Sequence, residues 1–217
     1  MAPTIAIIGG SGPEGRGLAL RFALAGYPII IGSRDAGRAS DAAQGLLEIK
    51  AGLPITGAAN EEAASEADWT LLSVPYEGLE ATTQALAPAL AGKIVTSVVA
   101  PLAFAGGTAQ AVTVPQGSAA ELVAGLLPNS KISSAFHNLS ARDLLKSDAA
   151  LEGDVLVCGN DDDARAQTVE LANSLKNLRG VDVGDLSNSR YIEDLTALLL
   201  NVNQRYKAHS TIKLVGL

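Results

Sequence analysis

The stretch Ile5-Ala6-Ile7-Ile8-Gly9-Gly10-Ser11-Gly12-Pro13-Glu14-Gly15-Arg16-Gly17, with Ile29-Ile30-Ile31-Gly32-Ser33-Arg34 after a helical run, decides the fold. It reads as a buried strand, a glycine-rich turn, a helix and a second buried strand, which opens a parallel α/β sheet. Gly10-x-Gly12-x-x-Gly15 supplies a tight turn, bare backbone for a pyrophosphate and close helix–strand packing. The helix that starts there offers its unpaired N–H groups to phosphate. Gly10, Ser11, Gly12, Pro13, Glu14 and Gly15 are therefore the candidate pyrophosphate residues. The same turn can close a βα unit that holds no ligand, but the second strand carries a further signal. An NAD site ends that strand in a carboxylate that holds the ribose 2′-hydroxyl. Here the strand ends in Ser33 and Arg34, with Arg38 one turn on, and a hydroxyl with guanidinium forks grips a 2′-phosphate. The expected cofactor is NADP(H). The bland reading of the arginines is two solvated side chains at a helix start, although arginine favours the opposite helix end.

Outward from this unit, strands are expected at 4–8, 28–32, 54–57, 69–74, 93–98, 131–136, 154–159 and 180–184. Helices are expected at 14–26, 36–50, 60–67, 79–90 and 118–127, then from Asn160 to about 178 and from Tyr191 to about Tyr206. Gly106-Gly107 begins an irregular stretch, and a loop follows Ser140. The fold class is α/β, a Rossmann-type doubly wound, mostly parallel sheet with a small C-terminal helical element. Residues 1–185 form the NADP-binding unit, and 186–217 a closing helix and tail. Asp161-Asp162-Asp163 reads as a helix cap and not as a metal site, since adjacent aspartates on one helix start cannot all face one ion. No metal is expected.

Composition narrows the function classes. A chain of 217 residues, 47% of them hydrophobic, builds a sizeable core. A formal charge of −7 argues against nucleic acid or an anionic membrane surface as partner. The single cysteine, Cys158, sits among Val155, Leu156 and Val157 and reads as core. With no basic leader, no bilayer-length apolar run and no possible internal disulfide, the expected location is the cytoplasm. The last helix carries Leu195, Leu198, Leu199, Leu200 and Val202, so it is expected to pack on its own sheet or on a partner chain.

The distal segments add a resemblance. Gly17-Leu18-Ala19-Leu20-Arg21, Ser73-Val74-Pro75-Tyr76-Glu77, Ser118-Ala119-Ala120-Glu121, Ser134-Ala135-Phe136-His137, Val157-Cys158-Gly159-Asn160-Asp161-Asp162 and Asp185-Leu186-Ser187-Asn188-Ser189-Arg190 recur in order and spacing. In these the chain resembles, over nearly its whole length, the NADPH-dependent reductases of the deazaflavin coenzyme F420. The resemblance implies reversible hydride transfer between nicotinamide C4 and deazaflavin C5, with NADP(H) and coenzyme F420 as the small-molecule partners. It implies a homodimer or higher homo-oligomer. Such a transfer asks for two flat rings stacked in a dry slot, and for no nucleophile or metal. By resemblance, Ser73, Val74 and Pro75 lie against the nicotinamide half, with Ala100 and Pro101 nearby. His137, Leu139 and Ala141 lie along the deazaflavin, with His137 at most an orienting group. Ser187, Asn188 and Ser189 offer polar groups to the ring edge, or cap the last helix. Arg190 meets a phosphate or pairs with Glu193. Asn138 and Ser140 depart from the family's usual Thr and Pro. The tail at 207–217 is more basic than the family's, either to meet the coenzyme's anionic arm or simply as a solvated end. Two rival readings stay open: an NADPH-dependent reductase of a small imine or carbonyl substrate, and a non-catalytic NADP-binding regulatory module.

Overall fold

The computed structural model describes residues 2–148 and 150–217. The first apolar run forms β1 (Ile5–Ile8), and α1 (Pro13–Leu24) begins directly after the glycine turn. β2 (Ile29–Ser33), α2 (Ala36–Ile49), β3 (Ile55–Ala59), α3 (Asn60–Glu66), β4 (Trp69–Leu72), α4 (Tyr76–Leu90) and β5 (Ile94–Ser97) follow. β1, β2 and β4 are short and buried on both faces, so apolar residues run through them without alternation, whereas β3 at the sheet edge is partly exposed. Among the described residues β1 to β5 pair only in parallel, in the spatial order β5-β4-β1-β2-β3. The order reverses at β1, and the switch point falls where the glycine turn leaves the sheet.

The chain next forms an antiparallel hairpin, β6 (Leu102–Ala105) and β7 (Thr108–Ala111), across the region expected to be irregular. The reason lies in Gly106 and Gly107, whose φ values of +56° and +80° make the two-residue turn that joins antiparallel strands. After α5 (Ala119–Leu126), β8 (Lys131–Ser134) rejoins the sheet beside β5. The loop expected past Ser140 contains one turn of helix, α6 (Ala141–Leu144), because the Ser140 hydroxyl accepts from the Asp143 N–H at 3.3 Å. β9 (Gly153–Gly159) runs antiparallel to β8 and parallel to β10 (Leu178–Asp185). Between them α7 (Asp162–Asn173) ends earlier than expected, and the chain turns at Asn177, φ +67°, to start β10 sooner. Asp161 caps α7 by accepting from the Ala164 N–H at 2.9 Å. α8 (Ser189–Tyr206) closes the fold and lies against the hairpin, with its C-terminal end over the cavity described below.

Apolar clusters fill both faces of the sheet, as a two-sided parallel sheet requires. Cys158 is fully buried in one of them, and burial pushes its thiol up to about 12, which leaves it inert. Residues 207–217 are not a free solvated end. Buried Asp154 receives both the Nε and the Nη2 of Arg179, at 2.8 and 2.6 Å, and the Leu214 N–H at 2.6 Å. Arg179 also donates to the Leu214 and Leu217 carbonyls, and the Asp154 N–H donates to the Ile212 carbonyl. One carboxylate thus straps the tail to β9 and β10.

Candidate active site

The glycine turn is built by close approach. A Cβ on Gly9 would lie 2.6 Å from the Ser73 carbonyl oxygen, and Gly9 itself sits at φ +79°. A Cβ on Gly15 would lie 2.6 Å from the Gly10 Cα, so only glycine lets α1 start against the turn. At Gly12, by contrast, a Cβ would meet nothing nearer than the Gly9 carbonyl at 3.4 Å. Among the described residues no side chain caps the first turn of α1, and unpaired N–H groups at a helix start suit an anion. This is a cradle of the kind a pyrophosphate fits. The same contacts bring Ser73 and Val74 against the turn, and Pro75 follows as the residue before α4.

At the far end of β2, Ser33 is buried, while Arg34 and Arg38 are exposed. Neither guanidinium has a hydrogen bond or ion pair among the described residues. Asp35 follows Arg34, yet its carboxylate accepts the Arg38 N–H at 2.9 Å as the cap of α2 and is thereby turned toward the helix. Two exposed cations thus stand together at the end of β2 beside the buried Ser33. Ala100 and Pro101 lie past the end of β5, where the Pro101 carbonyl accepts from Val112 at the base of the hairpin.

Beside the turn opens a cavity of about 620 Å³. It takes Glu14 from α1, His137 to Arg142 from the segment after β8, Thr196, Leu199, Leu200, Asn203 and Gln204 from α8, and Lys207 to Ser210 from the tail. It therefore unites Glu14, His137, Leu139 and Ala141 from distant parts of the chain. His137 is aimed by Phe136, which holds φ +73° and locks that reversal by packing edge-on against Phe22 with ring centres 5.5 Å apart. Both ring nitrogens of His137 are buried without a partner among the described residues, and so is Oε1 of Glu14. Burial drives His137 down to about 3, so the imidazole is neutral at any working pH. Burial drives Glu14 up to about 8. Buried polar atoms without partners are rare in folded chains, and with Oδ1 of Asn138 three such side chains line one cavity, which fits a polar ligand.

Ser187 and Ser189 are not brought to this cavity. Ser187 is exposed, and Ser189 is fully buried between the Ser134 hydroxyl, at 2.5 Å, and Glu193 Oε1, at 2.8 Å. Asn188 precedes α8 without capping it and donates instead to the Val183 carbonyl at 2.6 Å. Arg190 pairs with Glu121 at 2.9 Å and not with Glu193. Glu193 accepts the Ala119 and Ala120 N–H groups at the start of α5, which locks α8 to α5. Asn138 and Ser140 have structural work: Asn138 donates to the Asp154 carbonyl and to Thr211, both at 2.8 Å, and Ser140 caps α6. Sequence reasoning did not find Arg21, which donates from α1 to the carbonyls of Asp143, Leu144 and Lys146 and so holds the α6 wall. Nor did it find the α8 residues of the cavity, since nothing local marks which turn of a helix faces a distant loop.

Comparison with known proteins agrees with this geometry. Residues 4–101 match the family model described as NADP oxidoreductase, coenzyme F420-dependent. The F420-dependent NADP reductase of Methanocaldococcus jannaschii is 43% identical, with 95% of each chain covered. That of Methanothermobacter marburgensis is 40% identical, with 92% of each covered. A crystal structure from Arthrobacter sp. FB24, of a protein proposed to be an F420-dependent NADP reductase, superposes with a TM-score of 0.82 at 26% identity, covering 97% and 98% of the two chains. With a dinucleotide cradle, a second cavity beside it and such similarity end to end, the chain belongs to the family of F420-dependent NADP reductases.

Proposed function

We infer that this protein passes a hydride reversibly between NADP(H) and coenzyme F420. The observation that carries the reading is the second cavity: Glu14 belongs both to the phosphate-binding turn and to the walls around His137, so the two sites share an edge. The coenzymes bring the reactive atoms, with hydride moving between nicotinamide C4 and deazaflavin C5. The protein's part is placement and exclusion of water. The turn from Gly10 to Gly15 holds the pyrophosphate, Ser33, Arg34 and Arg38 hold the 2′-phosphate, and Ser73, Val74 and Pro75, with Ala100 and Pro101, flank the nicotinamide half. Leu139, Ala141, Leu199 and Leu200 supply apolar walls for the deazaflavin, and neutral His137 offers it a hydrogen bond. Ser187 and Ser189 act from outside the cavity, through the seating of α8.

No helix among the described residues is long and apolar enough to cross a membrane, and we propose a cytoplasmic enzyme. Tyr191 and Leu198 on α8 are 69% and 58% exposed, and Phe104 on the adjacent hairpin is 70% exposed. This apolar face supports assembly with a second copy of the chain. The deciding experiment is anaerobic mixing of protein, NADPH and oxidised coenzyme F420, followed by the deazaflavin absorbance. Bleaching that requires NADPH, and that excess NADP reverses, is expected. NADPH binding without bleaching transfers the weight to an imine or carbonyl reductase, or to a regulatory module.

A further inference from the structure

Hydride transfer alone does not balance the reaction. NADPH, the oxidised carrier and one proton go to NADP and the reduced carrier: the C4–H bond of NADPH breaks with its electron pair, a C–H bond forms at C5, and a proton is added at a ring nitrogen. The protein must therefore admit or supply one proton per turnover within a site that excludes water.

We propose that Glu14 is the proton-exchanging group of this site, giving its carboxyl proton as the deazaflavin is reduced and taking one back as it is reoxidised. This rests on the functional reading above. Glu14 stands in the first turn of α1 and lines the cavity that holds His137, and its Oε1 is buried with no partner among the described residues. His137 does not do this work, because burial keeps its imidazole neutral far below neutral pH and the remaining ring N–H is far too weak an acid to be given up there. Arg142, Lys207 and His209 line the same cavity, and none makes an ion pair or hydrogen bond with Glu14 among the described residues. Of the other elements packed on α1, β1 and β2 carry no ionisable side chain. α6 adds Asp143, which is held by Lys146 and His209. α2 adds Arg38, Asp41 and Glu48, and α1 itself adds Arg16 and Arg21, the latter bound to α6 carbonyls.

A helix N-terminus ordinarily favours a carboxylate. Here burial outweighs the dipole and holds the carboxyl neutral up to about pH 8. A pyrophosphate on the same helix end adds negative charge and favours the neutral acid further. A group poised close to the operating pH is what proton transfer in both directions asks for.

Infrared difference spectroscopy of the purified protein, wild type against Glu14→Gln, tests the protonation without turnover. A protonated-carboxyl C=O band that titrates near 8 and is absent from the variant is expected. In turnover, wild-type reduction of the deazaflavin falls above this pH and the reverse reaction rises through it. Glu14→Gln loses both breaks and at least about tenfold in kcat, with KM little changed. Glu14→Asp, which retains an acid, keeps a break. A carboxyl that titrates in the ordinary glutamate range overturns the proposal, as does a folded Glu14→Gln with wild-type kcat and pH profile. A wild-type protein that never bleaches the deazaflavin overturns the functional reading itself, whereas normal wild-type bleaching beside an unaltered variant overturns the proton role alone.

Discussion

At the residue scale, charge and burial decide what each side chain can contribute. Arg34 is exposed and makes no hydrogen bond or ion pair among the described residues, so on the proposed function its value lies in the 2′-phosphate it meets. Arg34→Ala should raise the dissociation constant for NADP by about thirtyfold, the equivalent of about 2 kcal/mol for a charge-assisted contact. It should leave the constant for NAD nearly unchanged, and calorimetric titration with both dinucleotides measures the difference. Arg21 is the opposite case, 9% exposed and committed to the open carbonyls that end α6. Arg21→Ala removes those donors and leaves the Leu144 and Lys146 carbonyls without them, while Asp143 keeps the Lys146 N–H, a change of about 2–4 kcal/mol. It should lower the melting midpoint and loosen the α6 wall of the cavity, so deazaflavin affinity falls further than NADP affinity. Equal losses for the two coenzymes would show that Arg21 supports only the global fold.

At the element scale, most strands and helices are legible because the central strands are short apolar runs and the helices between them carry a polar face or a cap. Asp161 is readable as a cap from its position, whereas Ser118, read as the first helical residue, caps α5 by accepting from the Glu121 N–H. The hairpin is not legible, because Leu102-Ala103-Phe104-Ala105 lacks strand alternation and Gly106-Gly107 reads as a break although it is a turn with both residues at positive φ. In the site, the glycine turn and the Ser33-Arg34 ending announce themselves through local spacing. The cavity does not, since its walls come from α1, the segment after β8, α8 and the tail, and it exists only once the sheet has stacked them. The turn itself permits a paired test. Gly15→Ala places a methyl 2.6 Å from the backbone of Gly10 and should push α1 away from the turn, lowering both stability and NADP affinity. Gly125→Ala, on an exposed stretch of α5 with nothing within 4 Å of its Cβ, should be neutral or stabilising by about 0.5–1 kcal/mol. Thermal unfolding with and without NADP separates the two, and similar melts for both variants would remove close packing as the reason for the third glycine.

At the scale of the whole molecule, the tail links stability to the second cavity. Asp154 is 1% exposed and is the point where β9, β10 and residues 212–214 meet. The hydrogen bonds from Arg179 hold its carboxyl below the ordinary carboxylate range despite burial. A depressed folded-state value means that the unfolded chain binds the proton more readily. The stabilisation is therefore complete above the ordinary value of 3.8 and is lost as pH falls through the lower folded value. Asp154→Asn keeps the shape but gives up the ion pair, so it should unfold more readily than wild type at neutral pH and show a shallower loss of stability in acid. Because the chain from Lys207 to Ser210 also walls the cavity, freeing the strap should weaken deazaflavin binding. The glycine turn at β1, four strands away from β9 in the sheet, should keep its NADP affinity. Urea unfolding across acid and neutral pH, together with separate titrations of the two coenzymes, tests both halves. An Asp154→Asn protein that loses stability yet binds the deazaflavin as wild type does would make the tail a fastening of the sheet edge alone, and one that loses both would establish that the closing segment holds the fold and the second cavity by the same buried carboxylate.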